Sequence, residues 1–343
     1  MTGTGTVLPA AVMRVRELAL SAACAASVRA AAKLGLADVL DDQPATVDEL
    51  AKAVHADPGA LRRLMRSLTC FEVFAEPEPD KFVHTDASRL LREDAPRSLK
   101  HILLWGTEPW TWELWPHLDQ AVRTGKNVFD DLHGKDFFEY LHEQWPESAE
   151  VFDKAMTQSS KLSALAIADR LDLTGAERLA DIAGGQGTVL ATLLSRNEKL
   201  KGVLFDLPAV VAGADERLRA GGALADRAEL VAGDCRREIP VQADVYLFKN
   251  ILEWDDESTV LALRNAVAAG RPGARVVIIE NLVDGTPEMK FATAMDLLLL
   301  LNVGGKKHTK DGLLGLIGQA GLRVDRVSAV NSYLHMVETT IPG

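Results

Sequence analysis

From Leu179 to Gly187 the chain reads Leu-Ala-Asp-Ile-Ala-Gly-Gly-Gln-Gly, and Thr188–Leu194 follows as a helix candidate. A buried strand with one acid, a glycine-dense turn and a helix make a strand–turn–helix unit. Glycine adds no Cβ and tolerates positive φ, so such a turn lets a ligand press against backbone. The helix that follows presents unpaired N–H groups and its positive dipole end. Taken alone, the same turn also serves ordinary tight βα connections, so its surroundings decide. Beyond Ser163 strands alternate with helices, the sign of a parallel sheet covered on both faces. The predicted strands are Leu179–Ile182, Gly202–Phe205, Glu229–Ala232, Asp244–Phe248 and Arg275–Glu280, with helices that include Ala209–Ala220 and Ser258–Ala268. Leu322–Ser328 and Tyr333–Glu338 read as two adjacent strands at an antiparallel edge.

The front of the chain has another rhythm. Arg14–Leu34 reads as one long alanine-rich helix. Thr46 with Glu49 is a capping box that starts a helix near Val47, and Asp57-Pro58 starts a second over Gly59–Thr69. Val73–His84, with its turn at Pro77–Asp80, completes a winged helix-turn-helix pattern. That pattern raises a DNA-binding regulator, in which Arg62, Arg63 and Arg66 would meet phosphates. Acids crowd the same segment (Asp38, Asp41, Asp42, Asp48, Glu49 and Asp57), and the whole chain carries a net charge of −11. Both argue against nucleic acid or an anionic membrane, and favour a winged helix used for packing or dimerisation. Between Lys100 and Lys161 fall five of the six tryptophans, a density that fills a helical core and can also line a pocket for a flat ligand. Three scattered cysteines make neither a disulfide framework nor a metal cluster. Met1–Ala10 lacks the features of a signal peptide, and the longest apolar run, Leu297–Leu301, is far too short to cross a bilayer. A cytoplasmic protein is expected.

In an open parallel sheet, ligands sit beyond the carboxyl ends of the strands. The first strand brings Asp181 and the turn Gly184, Gly185, Gln186, Gly187 to that end. The second ends at Asp206 and Leu207, where a carboxylate would accept hydrogen bonds from a ribose diol. The third ends at Asp234 and Cys235, where Asp234 would meet an exocyclic amine of adenine, and the fourth runs out through Lys249 to Glu253, Trp254 and Asp255. A dinucleotide fingerprint needs a glycine three residues past Gly187, where Leu190 stands, and no basic residue lies in the turn. A phosphate-free ligand such as S-adenosylmethionine suits these acids better.

These stretches together resemble the bacterial small-molecule O-methyltransferases, the type also represented by plant caffeate O-methyltransferases. The family's Asp-x-Gly-Gly-Gly-x-Gly is matched by Asp181–Gly187, with Ala183 for the first glycine. Its Asp-Leu-Pro is Asp206–Pro208, its Gly-Asp is Gly233-Asp234, and its late Gly-Gly-Lys with a following threonine is Gly304–Thr309. Similarity continues through Thr46–Ala51, Gly134–Leu141 and Ala155-Met156. The resemblance implies an α/β fold: a Rossmann-like class I methyltransferase sheet of order 3-2-1-4-5-7-6 behind an N-terminal, mainly helical winged-helix domain. It divides the chain into a winged-helix dimerisation domain (1–100), an aromatic-rich helical connector and pocket roof (101–162), and a cofactor domain (163–343). It further implies a homodimer, S-adenosylmethionine as cofactor, and a small aromatic acceptor of secondary metabolism. The acceptor pocket would draw on Trp105, Met156, Trp254, Met295, Asp296 and Asn302.

The pattern departs from the family where the chemistry falls. Members that methylate phenols carry Leu-His-Asp-Trp after the fourth strand, with the histidine as general base. Here the chain reads Leu252-Glu253-Trp254, the arginine of the late motif is His308, and a glutamate three residues past its threonine is Gly312. Three readings stay open. Glu253 or His308 substitutes as the base; or the acceptor is an acidic phenol, an activated aromatic or enol carbon, or an amine; or the fold serves non-methyl chemistry. A metal held by Glu253, Asp255 and His308 has no characteristic spacing, and none is expected.

Overall fold

The computed structural model describes residues 9–284 and 290–343. The reading of Met1–Ala10 therefore lies almost wholly outside the described residues. The chain divides into two compact units, Met1–Glu108 and Pro109–Gly343.

In the first unit the expected long helix is two, α1 (Ala10–Ala19) and α2 (Ser21–Leu34), because Leu20 leaves helical geometry at φ −107° and ψ 12°. A left-handed Gly35 separates α2 from α3 (Leu36–Val39). The short strand β1 (Ala45–Thr46) leads into α4 (Val47–Ala53), where Thr46 and Glu49 cap reciprocally at 2.8 and 3.3 Å. Asp57 caps α5 (Pro58–Cys70) through the Ala60 N–H at 2.7 Å. The hairpin β2 (Phe74–Glu78) and β3 (Lys81–His84) turns at a left-handed Asp80, and the sheet order is β1-β3-β2. Val47, Leu50, Leu61, Met65, Leu68, Phe74 and Phe82 close the core. The unit ends with α6 (Asp86–Arg89) and α7 (Lys100–Gly106). Arg62 of α5 pairs with Asp80 of the hairpin turn, within its own unit. In contrast to this core, α1 buries nothing: Val12, Met13, Val15 and Leu18 are exposed along it, with Leu20 beyond its end.

The second unit begins with α8 (Pro109–Leu114), α9 (Leu118–Thr124), α10 (Phe129–His133) and α11 (Phe137–Gln144), whose Trp110, Phe129 and Phe137 are buried ring against ring at 4.8 and 5.2 Å. Next comes the 25-residue α12 (Pro146–Arg170), which runs straight across the expected connector boundary at 162. No breaker interrupts it there, so the connector is not a separate body from Pro109 onward.

The sheet follows as β4 (Arg178–Ile182), α13 (Thr188–Arg196), β5 (Lys201–Asp206), α14 (Pro208–Ala212), β6 (Ala228–Ala232), β7 (Val245–Lys249), α15 (Asp256–Ala269), β8 (Arg275–Glu280), α16 (Lys290–Asn302), α17 (Lys310–Gln319), β9 (Arg323–Ala329) and β10 (His335–Thr340). Its spatial order is β6-β5-β4-β7-β8-β10-β9, the 3-2-1-4-5-7-6 arrangement implied by the resemblance. Five strands are parallel, and β10 runs antiparallel to both β8 and β9. Two apolar layers cover the faces: Phe205, Phe248, Ile278 and Leu263 in one, Leu190, Leu204, Leu247 and Ile279 in the other. Alternation along a strand sends Leu247 and Phe248 to opposite layers. The expected helix over Ala209–Ala220 stops at Ala212. Beyond Gly213 the Asp215 N–H is drawn to the Gln186 carbonyl at 2.7 Å, a bond to the glycine turn that continued helix would forfeit.

Candidate active site

The turn after β4 is held in left-handed backbone at Ala183, Gly185 and Gly187, with φ of 49°, 62° and 80°. Two of its glycines have no room for a side chain. A Cβ at Gly184 would lie 2.5 Å from the Asp181 carboxyl carbon, and one at Gly187 would lie 2.6 Å from Leu218. A Cβ at Gly185 meets nothing within 4 Å, so that residue borders open space. The Asp206 carboxylate fastens the turn. Its Oδ2 accepts from the Gly185 N–H and its Oδ1 from the Leu207 N–H, both at 2.7 Å. Each oxygen keeps a further lone pair for a ligand hydroxyl.

Asp181 lies beneath this turn, buried, and its Oδ2 has no hydrogen-bond partner. Burial pushes its carboxyl up to about 7 against the pull of Lys249, and burial likewise raises Asp206 to about 6. Lys249, at the end of β7, lies 3.3 Å from the Ser160 hydroxyl of α12. Burial draws its ammonium down while Asp181 and Glu280 oppose that. One turn earlier on α12, Thr157 donates to Gln186 at 3.0 Å, beside the half-buried Met156. A buried and a half-buried acid near a glycine cradle, the first with an orphaned oxygen, repel phosphate and suit a diol and a cationic sulfonium or ammonium. S-adenosylmethionine fits this donor and acceptor set.

The third strand end is less open. Arg236 pairs with Asp234 at 3.2 Å, and its guanidinium sits 5.3 Å above the Trp254 ring. Trp254 thus lies under Arg236 and packs against the sheet core. The Cys235 thiol is pushed up to about 12 by burial, so it forms wall and contributes no nucleophile.

At the fourth strand end Asn250 takes φ 51°, and its buried Oδ1 has no partner. The next two N–H groups, of Ile251 and Leu252, both donate to Glu280 Oε1 at 3.0 Å. Glu280 ends β8 in a buried position and is pushed up to about 7, by burial first and then by Glu253. Glu253 forms an ion pair with Lys307. Burial opposes the Lys307 ammonium, but Glu253 and Glu280 outweigh it and hold the group above its usual range. The Lys307 N–H donates to Asp296 on α16 at 2.7 Å. Asp296 and Met295 are half-buried, whereas Asn302 at the end of α16 is buried with an unpartnered Oδ1.

The stretch from Gly304 to His308 lies directly on the Glu253 loop. Lys306 N–H reaches the Glu253 carbonyl at 3.2 Å, and a Cβ at Gly305 would fall 1.8 Å from that same oxygen. His308 is 4% exposed, and its Nε2 lies 2.6 Å from the Leu252 carbonyl. A carbonyl only accepts, so Nε2 carries the proton, and burial lowers the imidazole's pKa. Of the two bases proposed from the sequence, Glu253 stands in the charged cluster while His308 fastens one loop to another. Sequence reasoning missed Lys307 and Glu280. The signals were a lysine doubled next to two glycines and an acid closing the apolar run Val276–Ile279. Gly312 occupies the first turn of α17, where its N–H meets the Thr309 hydroxyl at 3.0 Å. Among the described residues no three His, Cys, Asp or Glu side chains converge as metal ligands, and no helix is long and apolar enough to cross a membrane.

A seven-stranded sheet of this order, with a glycine cradle and acids at successive strand ends, defines a class I methyltransferase. The chain belongs to the O-methyltransferase family: residues 115–323 match its O-methyltransferase domain and residues 17–94 its O-methyltransferase dimerisation domain. It is 36% identical to a mitomycin biosynthesis 6-O-methyltransferase from Streptomyces lavendulae, over 91% of this chain and 89% of the relative. The solved structure of a mitomycin 7-O-methyltransferase superposes with a TM-score of 0.87 at 35% identity, covering 96% and 98% of the two chains. An O-methyltransferase from neocarzinostatin biosynthesis, solved with S-adenosylmethionine and 2-hydroxy-5-methyl naphthoic acid, gives 0.78 at 30% identity over 93% and 96%. The protein is accordingly an enzyme, an S-adenosylmethionine-dependent O-methyltransferase with a dimerisation domain.

Proposed function

We propose that this chain methylates a hydroxyl of a small aromatic metabolite in secondary metabolism, acting as a cytoplasmic homodimer. The observation that carries the reading is the juxtaposition of an acid-lined glycine cradle with Glu253 at the next strand end. Asp206 and Leu207 would hold the ribose, Asp234 and Cys235 the adenine side, and Asp181, Gly184, Gly185, Gly187 and Lys249 the methionine end. When bound, S-adenosylmethionine supplies a sulfonium-activated methyl group. Met156, Trp254, Met295, Asp296 and Asn302 would shape the acceptor pocket and exclude water. Glu253 takes the acceptor's proton at Oε2, the oxygen opposite the one paired with Lys307. The exposed apolar residues of α1, which leads into the matched dimerisation domain, would supply a face for the second copy. The missing histidine leaves a second reading, transfer to nitrogen or carbon, because neither acceptor demands a strong base at that position.

Incubation with labelled cofactor and a panel of phenols, enols and amines, read by mass spectrometry, tests the activity. NMR assignment of the added methyl then separates oxygen from carbon or nitrogen. A product methylated on oxygen is expected; no labelled product from any phenol would sink the reading. Size-exclusion chromatography with light scattering is expected to give a dimer.

A further inference from the structure

Glu253 and Lys307 are 54 residues apart in sequence and meet as an ion pair whose side chains are only 18% and 7% exposed. Their surroundings are charged from every side that packs on them: Glu280 from β8, Lys249 from β7 and Asp296 from α16. Carboxylates outnumber ammonium groups around Lys307, and its loop is fixed by the Lys306, Lys307 and His308 bonds described above. A cation so held does not give up its proton, so Lys307 is not a base. Carboxylates as a class are weak bases for phenols, since about six units separate free glutamate from a free phenol.

Resting on the methyltransferase reading above, we propose that this ion pair ionises the acceptor by exchanging partners, with Lys307 as the group that holds the acceptor oxyanion. The acceptor O–H bond breaks and its proton passes to the Glu253 carboxylate, leaving the electron pair on oxygen. The oxyanion then takes the place of Glu253 beside the Lys307 ammonium. One positive and one negative charge stand there before the step, and one of each after it. No net charge is created in a partly dry site, where unpaired charge is expensive. Methylation forms the O–CH3 bond as the sulfonium's C–S bond breaks and a neutral thioether leaves, so the oxyanion is neutralised; Glu253 returns its proton to solvent, and the Glu253–Lys307 pair closes again.

An opposite charge at contact lowers a pKa by roughly 1–3 units, which leaves an ordinary phenol still above neutrality. The arrangement therefore selects acceptors already made acidic: phenols conjugated to a carbonyl or nitro group, and enolic hydroxyls. Lys307 is a specificity-determining residue as well as a catalytic one.

The test reads ionisation without turnover. 4-Nitrophenol and 7-hydroxycoumarin absorb differently when ionised, so each is titrated with pH on the full-length protein saturated with S-adenosylhomocysteine. In the wild type and in Lys307→Arg the bound dye is expected to ionise roughly 1–3 units below its free value. The shift is expected to vanish in Lys307→Met and to survive in Glu253→Gln, where the cation is kept. The double variant Glu253→Gln/Lys307→Met leaves no stranded carboxylate, and thermal melting with S-adenosylhomocysteine checks that each variant folds. An unshifted dye in the wild type, a shift that persists in Lys307→Met, or failure of both dyes to bind overturns the proposal. In turnover, Lys307→Met is expected to lose more rate with weakly acidic phenols than with acidic ones, whereas a purely structural role would lower all alike. Wild-type methylation of phenols without the dye shift defeats this inference alone; absence of any methylated phenol defeats the function proposed above.

Discussion

The ends of β4 and β5 and the ends of β7 and β8 both carry acids set into the sheet edge, but only the second holds one of them in an ion pair. At the first, Asp181 and Asp206 meet only backbone N–H groups or nothing at all, and burial raises both carboxyls. At the second, Glu253 is matched by Lys307, while Glu280, raised by burial like the other two, meets two N–H groups of the neighbouring loop. Acids left unmatched in a fold are waiting for donors that a ligand brings. Acids matched internally can pass a proton while their surroundings stay in balance. In the function proposed above, binding falls to the β4 and β5 strand ends and proton handling to the β7 and β8 strand ends.

The sharpest way to break that division is Glu253→Gln. Loss of a positioned proton acceptor is expected to lower kcat by roughly 10²–10⁴-fold. Calorimetric affinity for S-adenosylhomocysteine should stay as it was; if affinity falls with the rate, the two ends are not independent. Asp206→Ala should do the reverse. It removes two charged acceptors worth about 1.5–3 kcal/mol each, so affinity for S-adenosylhomocysteine is expected to fall by at least about 100-fold. Unaltered affinity in that variant would place the ribose elsewhere. A smaller effect is expected from His308→Ala, which strands the Leu252 carbonyl. Denaturant unfolding should show a loss of about 1–3 kcal/mol, with the shape of the pH–rate profile retained. A changed profile would return His308 to the list of bases.

The mildest effect comes from pH. Asp206 must be ionised to accept from two hydroxyls, and its carboxyl is raised to about 6. Affinity for S-adenosylhomocysteine is therefore full above that value. Below it, affinity should weaken by up to about tenfold per pH unit as the carboxyl takes up a proton. Calorimetry between pH 5 and 8 measures this, and a flat profile would show that Asp206 does not face the ligand.

The cofactor end was legible because its parts are contiguous. Asp181 to Gly187 is one strand and one turn, and parallel register alone brings Asp206 beside it. The catalytic end was not. Glu253 is visible as a departure from the family's histidine, but its partner arrives from the far side of α16. No local pattern in the sequence reports a Lys307 contact made across 54 residues. Trp254 is visible in the sequence, but the contact that sets its ring under Arg236 is tertiary and leaves no local pattern. Helix propensity over Ala209–Ala220 lost to a single tertiary bond from Asp215, and the boundary at 162 vanished inside α12 for want of a breaker.

Strand β10 follows β9 in the chain but is inserted between β8 and β9 in the sheet. While the polypeptide is being made, the free edge of β8, Arg275–Glu280, has no neighbour until residues 335–340 leave the ribosome. That edge is an almost unbroken apolar run, Val-Val-Ile-Ile, of the kind that recruits foreign strands. A ribosome stalled within α17 would hold a nascent chain whose cofactor strands are complete but whose sheet is unsealed. Such fragments should be the species that chaperones capture, and the ones that aggregate when synthesis outpaces them.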